Sequence, residues 1–206
     1  MVRVRIKFCG LTRICDIEAA NDLMPEYVGF VFWHKSKRYL SPENAMTLRK
    51  SLRQEIVPVG VFVDENPRIV ANMAEGGTID MIQLHGHEDD EYIAGLRKLT
   101  RAKIIKAFRV KTADDALRAE ESSADFVLLD SGMGTGKVFD WSLIRRVKRP
   151  YFLAGGLDAG SVGEAVSRLN PYAVDVSSGI ETDGVKDRVK MSDFISTIRR
   201  GNHNDE

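Results

Sequence analysis

The chain has 206 residues, 43% of them hydrophobic and 29% charged, enough to bury a large core and short enough for one domain. Thirty basic and thirty acidic residues cancel and are interspersed, so no basic face is offered to a nucleic acid or an anionic membrane. The longest apolar run, Val28 to Trp33, falls far short of the roughly 18 residues a membrane helix needs, and Met1-Val2-Arg3-Val4-Arg5 lacks the apolar stretch of a signal peptide. The expected location is therefore the cytoplasm.

Strand-like segments run in order as Val4 to Phe8, Tyr27 to Phe32, Val57 to Val63, Met81 to Leu84, Ile104 to Phe108, Phe126 to Leu129, Tyr151 to Leu153 and Ala173 to Val176. Helical spacing lies between and after them, clearest in Val162, Ala165, Val166 and Leu169 and in Met191, Phe194, Ile195 and Ile198; both sets read i, i+3, i+4, i+7 and would bury one face. Helix starts are marked by Ser41-Pro42, Asn66-Pro67, Thr112 with Asp115 and Ser161 with Glu164, pairs that cap free N–H groups or place proline in a first turn. Strict alternation of strand and helix predicts a parallel sheet with helical crossovers. Eight such units favour a closed single-domain (β/α)8 TIM barrel over an open doubly wound sheet. The barrel is expected over residues 1–200, with 201–206 as a frayed polar tail.

In a βα barrel the reactive face is made by strand C-terminal ends and the loops after them. Cys9-Gly10-Leu11-Thr12 follows the first strand, His85-Gly86 the fourth, Asp130-Ser131-Gly132 the sixth, Gly155-Gly156 the seventh and Ser177-Ser178-Gly179 the eighth. Gly155, Gly156, Ser178 and Gly179 form a candidate phosphate cup, because small residues let backbone N–H groups approach an anion; isolated glycines also simply turn a chain. Cys9 and Asp130 end non-adjacent strands and suit a base and an acid acting from two sides, although a strand-end cysteine is often a small buried hydrophobe. Alternation points Lys7 the same way as Cys9, and Gln83 the same way as His85, into the barrel. Closure sets the eighth strand beside the first, making Asp175 a partner for Lys7, since a buried charge persists only if paired. That pair is equally well structural or functional. The thiols Cys9 and Cys15 lie six positions apart; a reducing cytoplasm argues against a bridge, and Cys15 is expected inside the first helix. Ser131-Gly132-Met133-Gly134-Thr135-Gly136-Lys137 fails the Walker A and dinucleotide patterns at Ser131, Val138 and Lys137 and reads as a mobile lid, with Asp140 capping the next helix.

These residues carry a family pattern: the chain resembles phosphoribosylanthranilate isomerase of tryptophan biosynthesis over essentially its whole length. The resemblance rests on Lys7-Phe8-Cys9-Gly10-Leu11-Thr12, the loop Phe32 to Tyr39 with Ser36 and Arg38, Gln83-Leu84-His85-Gly86, Leu128-Leu129-Asp130-Ser131, Gly134-Thr135-Gly136, Phe139-Asp140-Trp141, Ala154-Gly155-Gly156-Leu157 and Asp175 through Glu181. It implies an Amadori rearrangement of N-(5-phosphoribosyl)anthranilate to 1-(2-carboxyphenylamino)-1-deoxyribulose 5-phosphate, with no metal or organic cofactor, by a monomer or homodimer. It further implies Cys9 as general base, Asp130 as general acid and Arg38 as the fork for the anthranilate carboxylate, with His85 and Asp175 facing the substrate. The chain departs from many relatives in having Lys37 where they have proline and Trp33-His34 where they have aromatic-proline. Two other readings compete. A histidine-pathway aminoaldose isomerase, or an enzyme serving both pathways, usually has carboxylates after strands 1 and 5, where this chain has Cys9 and Phe108-Arg109. A non-catalytic phosphate sensor shares the fold but gives no reason for Cys9, Asp130 and Arg38 together.

Overall fold

The computed structural model describes residues 3–130, 141–144 and 146–201. Its strands close into a parallel barrel in the order β1 to β8: β1 (Arg5–Cys9), β2 (Tyr27–Val31), β3 (Val57–Phe62), β4 (Met81–Leu84), β5 (Lys103–Arg109), β6 (Phe126–Asp130), β7 (Tyr151–Ala154) and β8 (Ala173–Val176). Helices alternate with them: α1 (Ile14–Leu23), α2 (Pro42–Ser51), α3 (Pro67–Glu75), α4 (Asp90–Leu96), α5 (Ala113–Glu121), α6 (Trp141–Ile144), α7 (Val162–Leu169) and α8 (Arg188–Gly201). The chain is thus a (β/α)8 barrel, with every expected strand present and ends shifted by about one residue, the usual fraying of such boundaries. Between β8 and α8 lies a hairpin of β9 (Glu181–Thr182) and β10 (Val185–Lys186) that no sequence pattern announces. Two-residue strands are too short to show periodicity.

Most helix starts follow the local chemistry read from the sequence. Ser41 accepts from the Asn44 N–H and Asn66 from the Arg68 N–H, each with proline in the first turn, and Thr112 forms a capping box with Asp115. Ser161 is a correction. Its side chain makes no cap bond; instead Asp158 Oδ1 accepts from the N–H of Gly160 and of Ser161, at 3.0 and 2.9 Å, and from Ser161 Oγ at 2.8 Å. An aspartate three residues upstream offers a charged acceptor that outcompetes the hydroxyl. The tail boundary also moves: α8 continues to Gly201, while the rest of the expected tail, 202–206, and the expected lid and Asp140 cap, within 131–140, lie outside the described residues.

Outward strand residues such as Ile6, Phe8, Val28, Phe30 and Ile82 pack against the helices. The inward ones, Tyr27, Val59, Met81, Ile105, Leu128 and Phe152, fill the barrel with an apolar plug, in which the Phe152 ring meets Tyr27 edge-on at 5.3 Å. Among the described residues no helix is long and apolar enough to cross a membrane.

Candidate active site

Inward positions recur every second residue, so the plug is followed, two residues toward the strand C-termini, by chemistry: Met81 gives way to Gln83 and His85, Leu128 to Asp130, and Ala173 to Asp175. Lys7 and Asp175 are register partners on adjoining β1 and β8, and Lys7 Nζ donates to Asp175 Oδ1 at 2.8 Å. Lys7 is fully buried. Burial alone would push its ammonium down, but Asp175 and the neighbouring Cys9 outweigh burial and hold it above the ordinary lysine value. Burial pushes the Cys9 thiol up, Lys7 pulls against it, and Asp175 adds to the rise. Gly29 on β2, not among the residues singled out from the sequence, explains how these groups fit. A Cβ there would lie 2.8 Å from Cys9 Sγ and 3.1 Å from Lys7 Nζ. A glycine inside an otherwise apolar strand was the available signal, since it marks close approach by another group.

A cavity of about 430 Å³ opens above the plug, and Cys9, Arg38, His85, Asp130, Gly155, Gly156, Asp175 and Ser178 all line it. Residues from six βα units thus meet around one space. Gly179 does not line it; a Cβ at Gly179 would strike the Leu157 carbonyl oxygen, so this glycine lets the loop after β8 pack on the loop after β7. Both cup glycines after β7 have positive φ, 102° at Gly155 and 67° at Gly156, a conformation that disfavours a side chain. A second cavity of about 490 Å³ lies beside Gly86 and Lys106. There Lys106 Nζ is already held by Glu88 and the Gly86 carbonyl, each at 2.8 Å, and none of the candidate residues lines it.

Arg38 reaches the first cavity from the loop after β2. Gly10, at φ 82°, leaves the space occupied by the Arg38 stem, where a Cβ would collide with Arg38 Cδ. Where many relatives carry proline, this loop is crossed by local hydrogen bonds. Ser36 N–H donates to the Trp33 carbonyl at 2.9 Å, Tyr39 N–H to the Ser36 carbonyl at 3.1 Å, and Arg38 N–H to Ser36 Oγ at 3.1 Å. Glu181, unassigned from the sequence, binds the guanidinium, and Lys186, likewise unassigned, binds Glu181. Glu181 accepts from Arg38 and from Lys186 Nζ; burial works against its charge, but these cations hold it below the usual glutamate range.

His85 sits beside Gln83, whose Nε2 lies 2.9 Å from His85 Nδ1. The amide thereby orients the imidazole ring, and the tautomer sets which of the two atoms donates. Burial holds His85 below the ordinary histidine value, with Asp175 and Asp130 pulling the other way, which favours the neutral imidazole. Gln83 Oε1 is buried with no partner among the described residues. Cys15, by contrast, is exposed in α1, away from this cavity's walls.

The family model for N-(5'-phosphoribosyl)anthranilate (PRA) isomerase matches residues 6–197. The chain belongs to that family. An N-(5'-phosphoribosyl)anthranilate isomerase of Endomicrobium trichonymphae is 42% identical over 200 residues, covering 95% of this chain and 98% of the relative. One of Thermoanaerobacter sp. (strain X514) is 42% identical over 203 residues, with the same coverage of 95% and 98%. The crystal structure of phosphoribosyl anthranilate isomerase from Thermotoga maritima superposes with a TM-score of 0.87 at 38% identity, covering 96% of this chain and 99% of that one. A structure of the isomerase in complex with reduced 1-(o-carboxyphenylamino)-1-deoxyribulose 5-phosphate superposes with a TM-score of 0.84 at 37% identity, again covering 96% and 99%. Family membership thus coincides with a cavity whose walls hold an acid, a thiol and an arginine.

Proposed function

We propose that this chain catalyses the Amadori rearrangement of N-(5-phosphoribosyl)anthranilate to 1-(2-carboxyphenylamino)-1-deoxyribulose 5-phosphate. The observation that carries it is the meeting of Cys9, Asp130 and Arg38, from three separate βα units, in one cavity with Gly155, Gly156 and Ser178. The substrate phosphate lies in the cup formed by the loops after β7 and β8, where backbone N–H groups approach it; Gly179 keeps those loops together. Arg38 takes the anthranilate carboxylate with its planar fork.

Asp130 gives a proton to the furanose ring oxygen, the C1–O bond breaks, and the anilino nitrogen lone pair forms the iminium. The iminium acidifies the neighbouring C2–H, and the Cys9 thiolate removes that proton, giving an enolamine that tautomerises to the ketone. Each transfer is one positioned acid or base step. Lys7 stands beside Cys9 and favours its thiolate; Asp175 holds Lys7 in place. His85, neutral and lining the cavity, stands beside the bound substrate. The partner in this reading is a small molecule, bound by a monomer or homodimer in the cytoplasm.

Turnover of freshly prepared phosphoribosylanthranilate, followed by loss of anthranilate fluorescence, tests the proposal, as does growth of a tryptophan auxotroph that lacks this isomerase. Absence of turnover by folded protein would overturn it.

A further inference from the structure

Arg38 does not meet the cavity as a loose cation. Its Nε donates to Glu181 Oε1 at 2.6 Å and its Nη2 to Glu181 Oε2 at 2.8 Å, a parallel two-bond contact that occupies the side edge of the guanidinium. A guanidinium carries five N–H donors in a rigid plane. Of the three not used by Glu181, one on Nη1 and one on Nη2 lie parallel along the end edge.

Glu181 is itself fixed. It is 8% exposed, and the buried Lys186 donates to its Oε1 at 2.6 Å, while the more exposed Lys37 stands 3.9 Å from Oε2. Lys186 also donates to the Ser177 carbonyl at 2.9 Å and to Ser177 Oγ at 3.3 Å, and Ser177 Oγ donates to the Cys9 carbonyl at 2.9 Å. The β9–β10 hairpin therefore ties Arg38 to the end of the strand that carries Cys9. The charge balance matters as much as the bonds. A lone glutamate would cancel Arg38 and repel an incoming carboxylate. With the buried Lys186 against it, Glu181 faces Arg38 and Lys186 together, two cations to one anion.

We propose that Glu181, neutralised by Lys186, is a positioning residue that holds Arg38 by its side edge so that the end edge, Nη1 with Nη2, receives the aromatic carboxylate of the substrate. The inference rests on the function proposed above and names how that site selects a carboxylate-bearing aminoaldose. A fork held in advance loses less freedom on binding than one that must first be ordered.

The test compares Glu181→Gln with the parent protein on two substrates, phosphoribosylanthranilate and its analogue without the carboxylate, N-(5-phosphoribosyl)aniline. The amide keeps the shape but loses the charge that orients the guanidinium. Expected is a rise of about tenfold or more in KM for the carboxylated substrate, the scale of a lost charged hydrogen bond, with kcat moved less. On the analogue, parent and variant should behave alike. Equal losses on both substrates would mean a merely structural role and overturn the inference, as would no loss on either. A crystal structure of the unaltered protein with a reduced product analogue gives a second reading that needs no variant. The carboxylate on Nη1 and Nη2 with both Glu181 bonds kept supports the inference; a carboxylate that displaces Glu181 from Nε overturns it. Parent protein that does not turn over phosphoribosylanthranilate refutes the proposed function instead, which separates the two failures.

Discussion

Adding one methyl group at Gly29 should disable this site without replacing any group that meets substrate. The new Cβ of Gly29→Ala would stand 2.8 Å from Cys9 Sγ, 3.1 Å from the Cys9 Cα and 3.1 Å from Lys7 Nζ. Comfortable carbon contacts fall at about 3.5 to 4.0 Å, so the sulfur must retreat by roughly 1 Å. Turning the thiol does not suffice, because the Cys9 backbone is also too close and is held in register against Gly29 by the β1–β2 ladder. A displacement of about 1 Å in a reacting group costs on the order of 100-fold in rate, and overpacking a filled interior costs about 1 to 3 kcal/mol in stability. Fluorescence assays of kcat/KM, with thermal unfolding and inorganic phosphate binding as controls, would separate the two effects. The expected result is a folded protein with a modestly lowered Tm, unchanged phosphate affinity and a collapse in kcat/KM. A folded Gly29→Ala protein with undiminished kcat/KM would refute both the contact and the role given to Cys9.

Cys9→Ala should lower kcat/KM by roughly 100-fold or more, the scale of a positioned base, whereas Cys15→Ala, at an exposed position on α1, should leave it near the parent value; folded variants of both, assayed side by side, decide the matter. The rising limb of kcat/KM with pH should lie on the alkaline side, because the proposed base is the thiolate and burial raises the Cys9 pKa. Lys7→Met should carry that limb further alkaline, since it removes the group that lowers the Cys9 pKa and leaves Asp175 to raise it; a limb that stays put or moves toward acid would show that Lys7 does not act on Cys9. Asp158→Ala should cost about 1 kcal/mol by loss of the α7 cap, and Ser161→Ala should cost clearly less; the reverse order in denaturant unfolding would return the cap to Ser161.

The order of elements, the barrel and the face on which the candidate site lies were legible in the sequence because each is set by residues close along the chain. Alternation in Met81, Gln83 and His85, or in Lys7 and Cys9, aims side chains inward whatever else the fold does. Closing a set of eight parallel strands then forces Lys7 beside Asp175, 168 positions away. Caps such as Ser41 and Thr112 act within one turn and were read correctly for the same reason. What escaped was decided by packing through space. Gly10, Gly29 and Gly179 look alike in sequence, yet one makes room for the Arg38 stem, one for Cys9 and Lys7, and one for a neighbouring loop. Gln83 was aimed correctly, but its bond to His85 depends on rotamers that alternation does not set. Glu181 meets Arg38 across 143 positions from a hairpin whose strands are two residues long, too short for any periodic signal. A carboxylate's partner is fixed by which cations the closed barrel brings within about 3 Å of it, and only the tertiary structure sets those distances.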